Sequence, residues 1–167
     1  VYIFQCDSLL IQPVFASGQI ELIMTASPNK KLVIHVVASL DYGGVERHME
    51  IIASALDSAK MRHMFVAIGR GGATEEALRE IGVDVLCLGE RTAIPSISAI
   101  KSLFKAFRLN RPLVVHNHGA EANFHGLLAA WLARVPVRIG EEIGIPGHSS
   151  KAKAVFRLVY RFAHRVL

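Results

Sequence analysis

Leu32 to Ala38 is a continuous apolar run with His35 as its one polar member. A run of that kind marks a strand covered on both faces, as in a parallel sheet sandwiched between helices. The chain beyond it alternates helix and strand. A Gly-containing loop, Ser39–Gly44, leads into a helix in which Val45, Met49, Ile52, Ala53 and Leu56 recur at helical spacing. A second strand (Met64–Ile68) precedes the turn Gly69-Arg70-Gly71-Gly72, a short helix (Thr74–Ile81) and a third strand (Val83–Leu88). Ser96–Leu109 reads as helix, Pro112 opens a fourth strand (Leu113–His116), and Ala122–Ala133 reads as helix again. Pro136–Ile139 is a fifth strand, and a helix starts at Ser149. Strand and helix alternating at this spacing predict stacked βαβ units and a doubly wound α/β domain with five or six parallel strands. Arg165-Val166-Leu167 either ends the last helix or begins a sixth strand. No Gly or Pro closes it, as in a domain that continues.

Of the 167 residues, 51% are hydrophobic and 20% charged, which excludes a disordered or fibrous chain and fits one ordinary domain. Residues 1–30 stand apart: they begin with Val, show no clear period and end in the polar stretch Thr25–Lys30. They read as a poorly ordered or non-native extension, with Met24 as the natural start and 31–167 as the domain proper. Leu9 to Met24 is broken by Gln12, Pro13, Gln19 and Glu21 and lacks a basic leader, so no secretory signal is expected. No apolar run reaches the ~18–20 residues that span a bilayer. Cys6 and Cys87 show neither a disulfide framework nor ligand spacing, in keeping with a reducing cytoplasm.

In open doubly wound sheets, ligands bind at the carboxyl ends of the strands where the strand order reverses. With the order 3-2-1-4-5, that crevice lies between the first and fourth strands. The loops there are Asp41-Tyr42-Gly43-Gly44-Val45-Glu46 and His116-Asn117-His118-Gly119-Ala120-Glu121. Gly43 and Gly44 let backbone approach a ligand, and the amides of a helix start favour an anion such as a diphosphate; a tight turn without a ligand explains them equally well. G-x-G-x-x-G is absent, which counts against a dinucleotide enzyme. His116 and His118, two apart, point to one face, His116 as a packed strand histidine and His118 at the mouth, able to bind a sugar hydroxyl or phosphate. Glu121 and His125 share a helix face, His125 in a packing or capping role. The same region could bind zinc through His116, His118, Glu121 and His125, although H-x-H is a common accident; the favoured expectation is no metal. Glu141 and Glu142, in the loop after strand five, could bind acceptor hydroxyls. His35 and His63 read as structural.

The net charge of +5, from 19 basic and 14 acidic residues, is concentrated late in the chain. Beyond Glu142 come Lys151, Lys153, Arg157, Arg161 and Arg165 without an acidic residue. Lys153, Arg157, Arg161 and Arg165 repeat every four residues beside the apolar stripe Val155, Val159, Phe162 and Val166. Lys101, Lys105, Arg108 and Arg111 repeat the theme on an earlier helix. A solvated basic face is the ordinary outcome of this pattern. The functional reading is that Lys101, Lys105, Arg108, Lys153, Arg157 and Arg161 face an anionic bilayer. Nucleic acid is disfavoured, since no recognised module appears.

Three stretches resemble the N-terminal domain of glycosyltransferase family four: the first strand with Gly43-Gly44-Val45-Glu46, Val114-Val115-His116-Asn117-His118-Gly119, and Val135-Pro136-Val137-Arg138 leading to Glu141-Glu142. The resemblance covers about Lys31 to Leu167. It implies the Rossmann-like N-terminal half of a GT-B fold and retaining transfer from a nucleotide-sugar donor, with no cofactor and usually no metal. It places Gly43 and Gly44 near the donor phosphates and His118 on the transferred sugar. Ile143-Gly144-Ile145-Pro146 and Ala154–Arg165 look like bacterial members that build capsule, O-antigen or other lipid-linked glycans. The donor-binding C-terminal domain is not in this sequence. The expectation is therefore a cytoplasmic half-enzyme, peripheral on the inner face of the membrane and inactive without a donor domain or partner chain. Two alternatives stay open, a non-catalytic acceptor-binding or membrane-docking half and a metal-dependent hydrolase using His116 and His118.

Overall fold

The computed structural model describes residues 11–16, 19–24, 30–41, 43–56, 60–143 and 150–167. Contacts divide the chain into two units, Val1–Lys30 and Lys31–Leu167. Within the first, where the sequence shows no clear period, β1 (Ile11–Ala16) pairs antiparallel with β2 (Gln19–Met24).

The second unit is built on six parallel strands. In chain order its elements are β3 (Leu32–Val37), α1 (Gly44–Ala55), β4 (Arg62–Ala67), α2 (Ala73–Glu80), β5 (Asp84–Cys87) and α3 (Ile97–Asn110). They continue with β6 (Val114–His118), α4 (Ala120–Leu132), β7 (Val137–Glu141), α5 (Ser150–Val159) and β8 (Arg165–Val166). The sheet order is β5-β4-β3-β6-β7-β8, the doubly wound arrangement expected from the sequence, and Arg165-Val166 is its sixth strand.

Each face of the sheet is sealed by the stripe its helices present. Met49 and Ala53 of α1 and Leu78 of α2 pack with Val37, Phe65, Ala67 and Val85 on one face. Complete burial of a side chain such as Met49 is worth about 1.5–3 kcal/mol. On the other face lie α3, α4 and α5. Ala99, Leu103, Ala106 and Phe107 of α3 turn inward, and Phe124 of α4 meets Phe156 of α5 edge-on at 6.4 Å. Ser96 caps α3, its hydroxyl accepting the Ala99 N–H at 3.3 Å.

α4 lies unusually close to the sheet. A side-chain carbon built on Gly126 would stand 1.8 Å from Oδ1 of Asn117, a fully buried β6 residue. Asn117 in turn donates to the Ile139 carbonyl of β7 at 2.9 Å, and Asn123 of α4 donates to the Glu141 carbonyl at 2.9 Å. These two amides tie helix, central strand and neighbouring strand together. In an ordinary helix interior, Gly→Ala gains roughly 1 kcal/mol. Here we expect Gly126→Ala to lower stability by about 1–3 kcal/mol, because overpacking displaces Asn117. Urea titration checks this: the midpoint should fall with the slope unchanged. An equal or higher midpoint would mean that Asn117 gives way freely.

Candidate functional site

The fourth and fifth strands run further than their apolar runs suggest. β6 continues to His118 and β7 to Glu141, and the two residues are register partners. The sequence pattern puts both in loops beyond the strands. They are strand residues instead, and side-chain alternation carries them onto the sheet face. His118 is consequently buried, with none of its side chain exposed, and does not lie at the mouth. The chain leaves β6 through Gly119, whose φ of 85° lies in the left-handed region that glycine tolerates. The Gly119 N–H then bonds the Glu141 carbonyl at 2.9 Å, so the turn is fastened to β7.

Strand register gathers more histidines than the sequence pattern suggests. His35 on β3 pairs with His116 on β6, and His63 on β4 shares that face one step earlier. His118 Nδ1 bonds Glu141 Oε2 at 2.5 Å, His35 Nδ1 bonds His118 Nε2 at 3.1 Å, and His63 Nδ1 bonds His35 Nε2 at 3.2 Å. One proton assignment satisfies the whole row. His118 Nδ1–H donates to the carboxylate, His35 Nδ1–H donates to His118, and His63 Nδ1–H donates to His35, all three rings being neutral. Burial enforces neutrality. It lowers His118 to about 2 and His35 to about 3, with neighbouring histidines adding to the effect, and it lowers His63 as well.

Glu141 is the hub of the site, at 22% side-chain exposure. Besides His118, it meets His116, whose Nε2 lies 3.3 Å from Oε2 without hydrogen-bond geometry and has no other partner. His48, from the second turn of α1, brings Nε2 to 3.7 Å from Oε1 and is 45% exposed. That contact joins the Gly43-Gly44 loop to the β6 and β7 ends. α1 begins with the Arg47 N–H bonded to the Gly43 carbonyl at 3.1 Å, and amides before the first helical bond are available to a ligand. Gly44 is exposed, and a Cβ there would meet nothing within 4 Å. The side chain of Glu46 and the Gly144–Gly147 loop lie outside the described residues.

The remaining candidates separate. His125 is buried on the opposite side of the sheet, with Nδ1 hydrogen-bonded to the Glu121 carbonyl at 2.7 Å and Nε2 accepting the Ser96 N–H at 3.0 Å. It is a packing residue, as expected, and the four-residue set of His116, His118, Glu121 and His125 does not form. Glu121 is half-buried at the start of α4, and Glu142 is half-buried beyond β7, its N–H bonded to the Leu167 carbonyl. Lys101, Lys105, Arg108, Lys153, Arg157 and Arg161 are all exposed on the helical layer away from the site. A cleft of about 380 Å³ opens at the same strand ends but over β3–β5, lined by Asp41, Arg70, Glu90 and Arg91 among others. Sequence reasoning misses His35, His63 and His48 as site members. The available signal is a histidine in a central apolar strand, a costly placement unless another polar group meets it.

Residues 43–167 match the family described as the glycosyl transferase 4-like domain. No protein of curated function is similar in sequence. Among solved structures, MurG of Acinetobacter baumannii aligns with a TM-score of 0.56 at 16% identity, over 81% of this chain and 40% of that one. A glycosyltransferase of Rickettsia africae aligns at 0.57 and 15% identity, over 77% and 34%. An O-GlcNAc transferase of Thermobaculum terrenum aligns at 0.51 and 20% identity, over 71% and 22%. At these identities the likeness shows the shared fold, that of GT-B proteins, and the chain spans well under half of each relative.

The histidine row predicts acid sensitivity. Folded His35 and His118 bind a proton only near pH 2–3, whereas an unfolded histidine binds one near 6.5. The unfolded state therefore holds more protons throughout that window, and stability must fall as pH drops below about 6.5. The limiting slope is about 1.4 kcal/mol per pH unit for each ring. Urea unfolding in EDTA-containing buffer at pH 7, 6 and 5 should show the decline, and a flat profile would mean that the rings titrate normally.

Proposed function

Because the chain belongs to the glycosyl transferase 4-like domain family, we propose that it is the acceptor-side half of a two-domain glycosyltransferase. It would carry a sugar from a nucleotide-sugar donor to a glycan or lipid-linked acceptor, with retention, in bacterial surface-polysaccharide synthesis. A second, donor-binding domain, in the same polypeptide or a partner chain, would complete it, and these residues alone would be inactive.

The observation that carries the reading is the convergence of Gly43-Gly44, His48 and the His118–Glu141 pair at one strand edge. In this arrangement the start of α1 offers amides and a positive dipole end to the donor diphosphate, where negative charge grows as the nucleotide departs. Open space around Gly44 leaves room for that approach. The resemblance puts His118 on the sugar, but both its ring nitrogens are engaged and its side chain is buried. Glu141 is therefore the group presented to sugar or acceptor hydroxyls, and His118 is its positioning residue. Glu121 and Glu142 remain acceptor contacts of the same edge.

Two substitutions test the site in a protein that joins this domain to a donor domain. Gly44→Val should leave the fold intact and reduce kcat/KM at least tenfold by obstructing the diphosphate. Glu141→Gln should cost about ten- to a hundredfold, the loss of a charged substrate hydrogen bond. Full activity in both, with the fold intact, would remove this edge from the mechanism.

A peripheral membrane location is a second reading, favoured by the exposed helical layer. Exposed Lys101, Lys105 and Arg108 on α3, and Lys153 and Arg157 on α5, accompany exposed Trp131, Leu132, Val155 and Leu158. No helix among the described residues is long and apolar enough to cross a membrane, so attachment would be interfacial. At about 1 kcal/mol per basic residue near an anionic surface, several together give salt-sensitive binding. Co-sedimentation should be stronger with anionic than with neutral vesicles and fade at high salt. Equal binding to both would leave only a solvated basic face.

A further inference from the structure

We propose that His35, His116 and His118 form a zinc site that fastens β3 to β6. Each ring offers one nitrogen, and the three nitrogens lie within 4.8 Å of one another. Zinc holds imidazole nitrogens at about 2.0–2.1 Å, which sets tetrahedral neighbours roughly 3.3 Å apart. His35 Nδ1 and His118 Nε2 already stand at 3.1 Å. The third ligand is the ring whose buried Nε2 has no hydrogen-bond partner, His116. Its ring centroid lies 4.1 Å from that of His118, and at 18% side-chain exposure it can turn to close the set. The fourth position is left for a solvent oxygen.

The groups behind the ligands fit as well. A zinc-bound histidine holds its other ring nitrogen by donating to a carboxylate or similar acceptor, which fixes the ring. His118 Nδ1–H already donates to Glu141, and His35 Nε2 faces His63 Nδ1 at 3.2 Å. Zinc would take the place of the proton between His35 and His118. That proton moves to His35 Nε2, which then donates to His63 Nδ1, and the His63 proton shifts to its own Nε2. Every ring stays neutral, so the exchange is balanced without loss of a proton. The Glu141 carboxylate, one ring away from the ion, offsets its charge. Imidazole-only donors suit zinc, copper and nickel, and exclude magnesium and calcium.

The experiment uses the metal alone on the 167-residue chain, so its outcome is independent of glycosyl transfer. We expect one Zn²⁺ per chain by equilibrium dialysis, a Tm raised by Zn²⁺ and restored by EDTA, and, with Co²⁺ as probe, the intense visible absorption of a tetrahedral site. His35→Asn and His116→Ala should each abolish the Co²⁺ spectrum. His116→Ala keeps the test sound if His35→Asn fails to fold, because the His116 Nε2 makes no hydrogen bond to lose. His63→Ala should weaken zinc binding about 10–100-fold, as expected of a group behind a ligand. His164→Ala, an exposed histidine elsewhere whose ring accepts the Arg138 N–H, should leave zinc binding and the Co²⁺ spectrum unchanged. The absence of a tetrahedral Co²⁺ spectrum in the unsubstituted chain, or its persistence in His116→Ala, would overturn the site and leave a hydrogen-bonded row of rings.

Discussion

β3 and β6 are neighbours only because the chain, having laid β3, β4 and β5 outward in one direction, returns through α3 across the other face of the sheet. Everything distinctive about the domain follows from that reversal. It sets His35 beside His116, and it places the Gly43-Gly44 helix start on the same edge as the ends of β6 and β7. It also leaves the strand ends on either side of the junction diverging, which is why ligands collect at such points in doubly wound sheets. The family match and the likeness to GT-B proteins agree with this doubly wound topology.

The reversal carries a cost. Polar rings brought onto a sheet face lose water, and an unpaired buried polar group is worth about 1–3 kcal/mol of destabilisation. The row running from His63 through His35 and His118 to Glu141 answers that cost by giving each ring a partner, with the carboxylate at one end. His116 is left outside the hydrogen-bonded row. A fully paired row and one unpaired ring next to it are the arrangement from which the zinc site is inferred.

Fold is legible in the sequence because its signals are local. Apolar runs of strand length, helical spacing at Val45, Met49 and Ala53, and the turns at Gly43-Gly44 and Gly69–Gly72 specify a doubly wound sheet without knowledge of contacts. The site is legible only in outline. H-x-H places His116 and His118 on one face, as observed. Strand ends, however, depend on pairing with neighbours, so polar residues such as His118 and Glu141 read as loop although they extend the ladder. His35 and His63 carry no functional signal of their own because their significance lies in register across three strands, a relation that no single segment records. His48 escapes for a related reason: its reach to Glu141 depends on where α1 lies over the sheet.

The contact between Gly126 and Asn117 has a mechanical meaning. A core of aliphatic side chains tolerates repacking so long as total volume and pattern are kept. α4 instead meets an amide that is itself anchored to β7, and a second amide, Asn123, anchors it again. Its seat is thus a single notch, stiff to shear along the strands. β6, α4 and β7 behave as one rigid block, and the His118–Gly119 turn rides on it. His48, carried by α1, reaches that block through its 3.7 Å approach to Glu141.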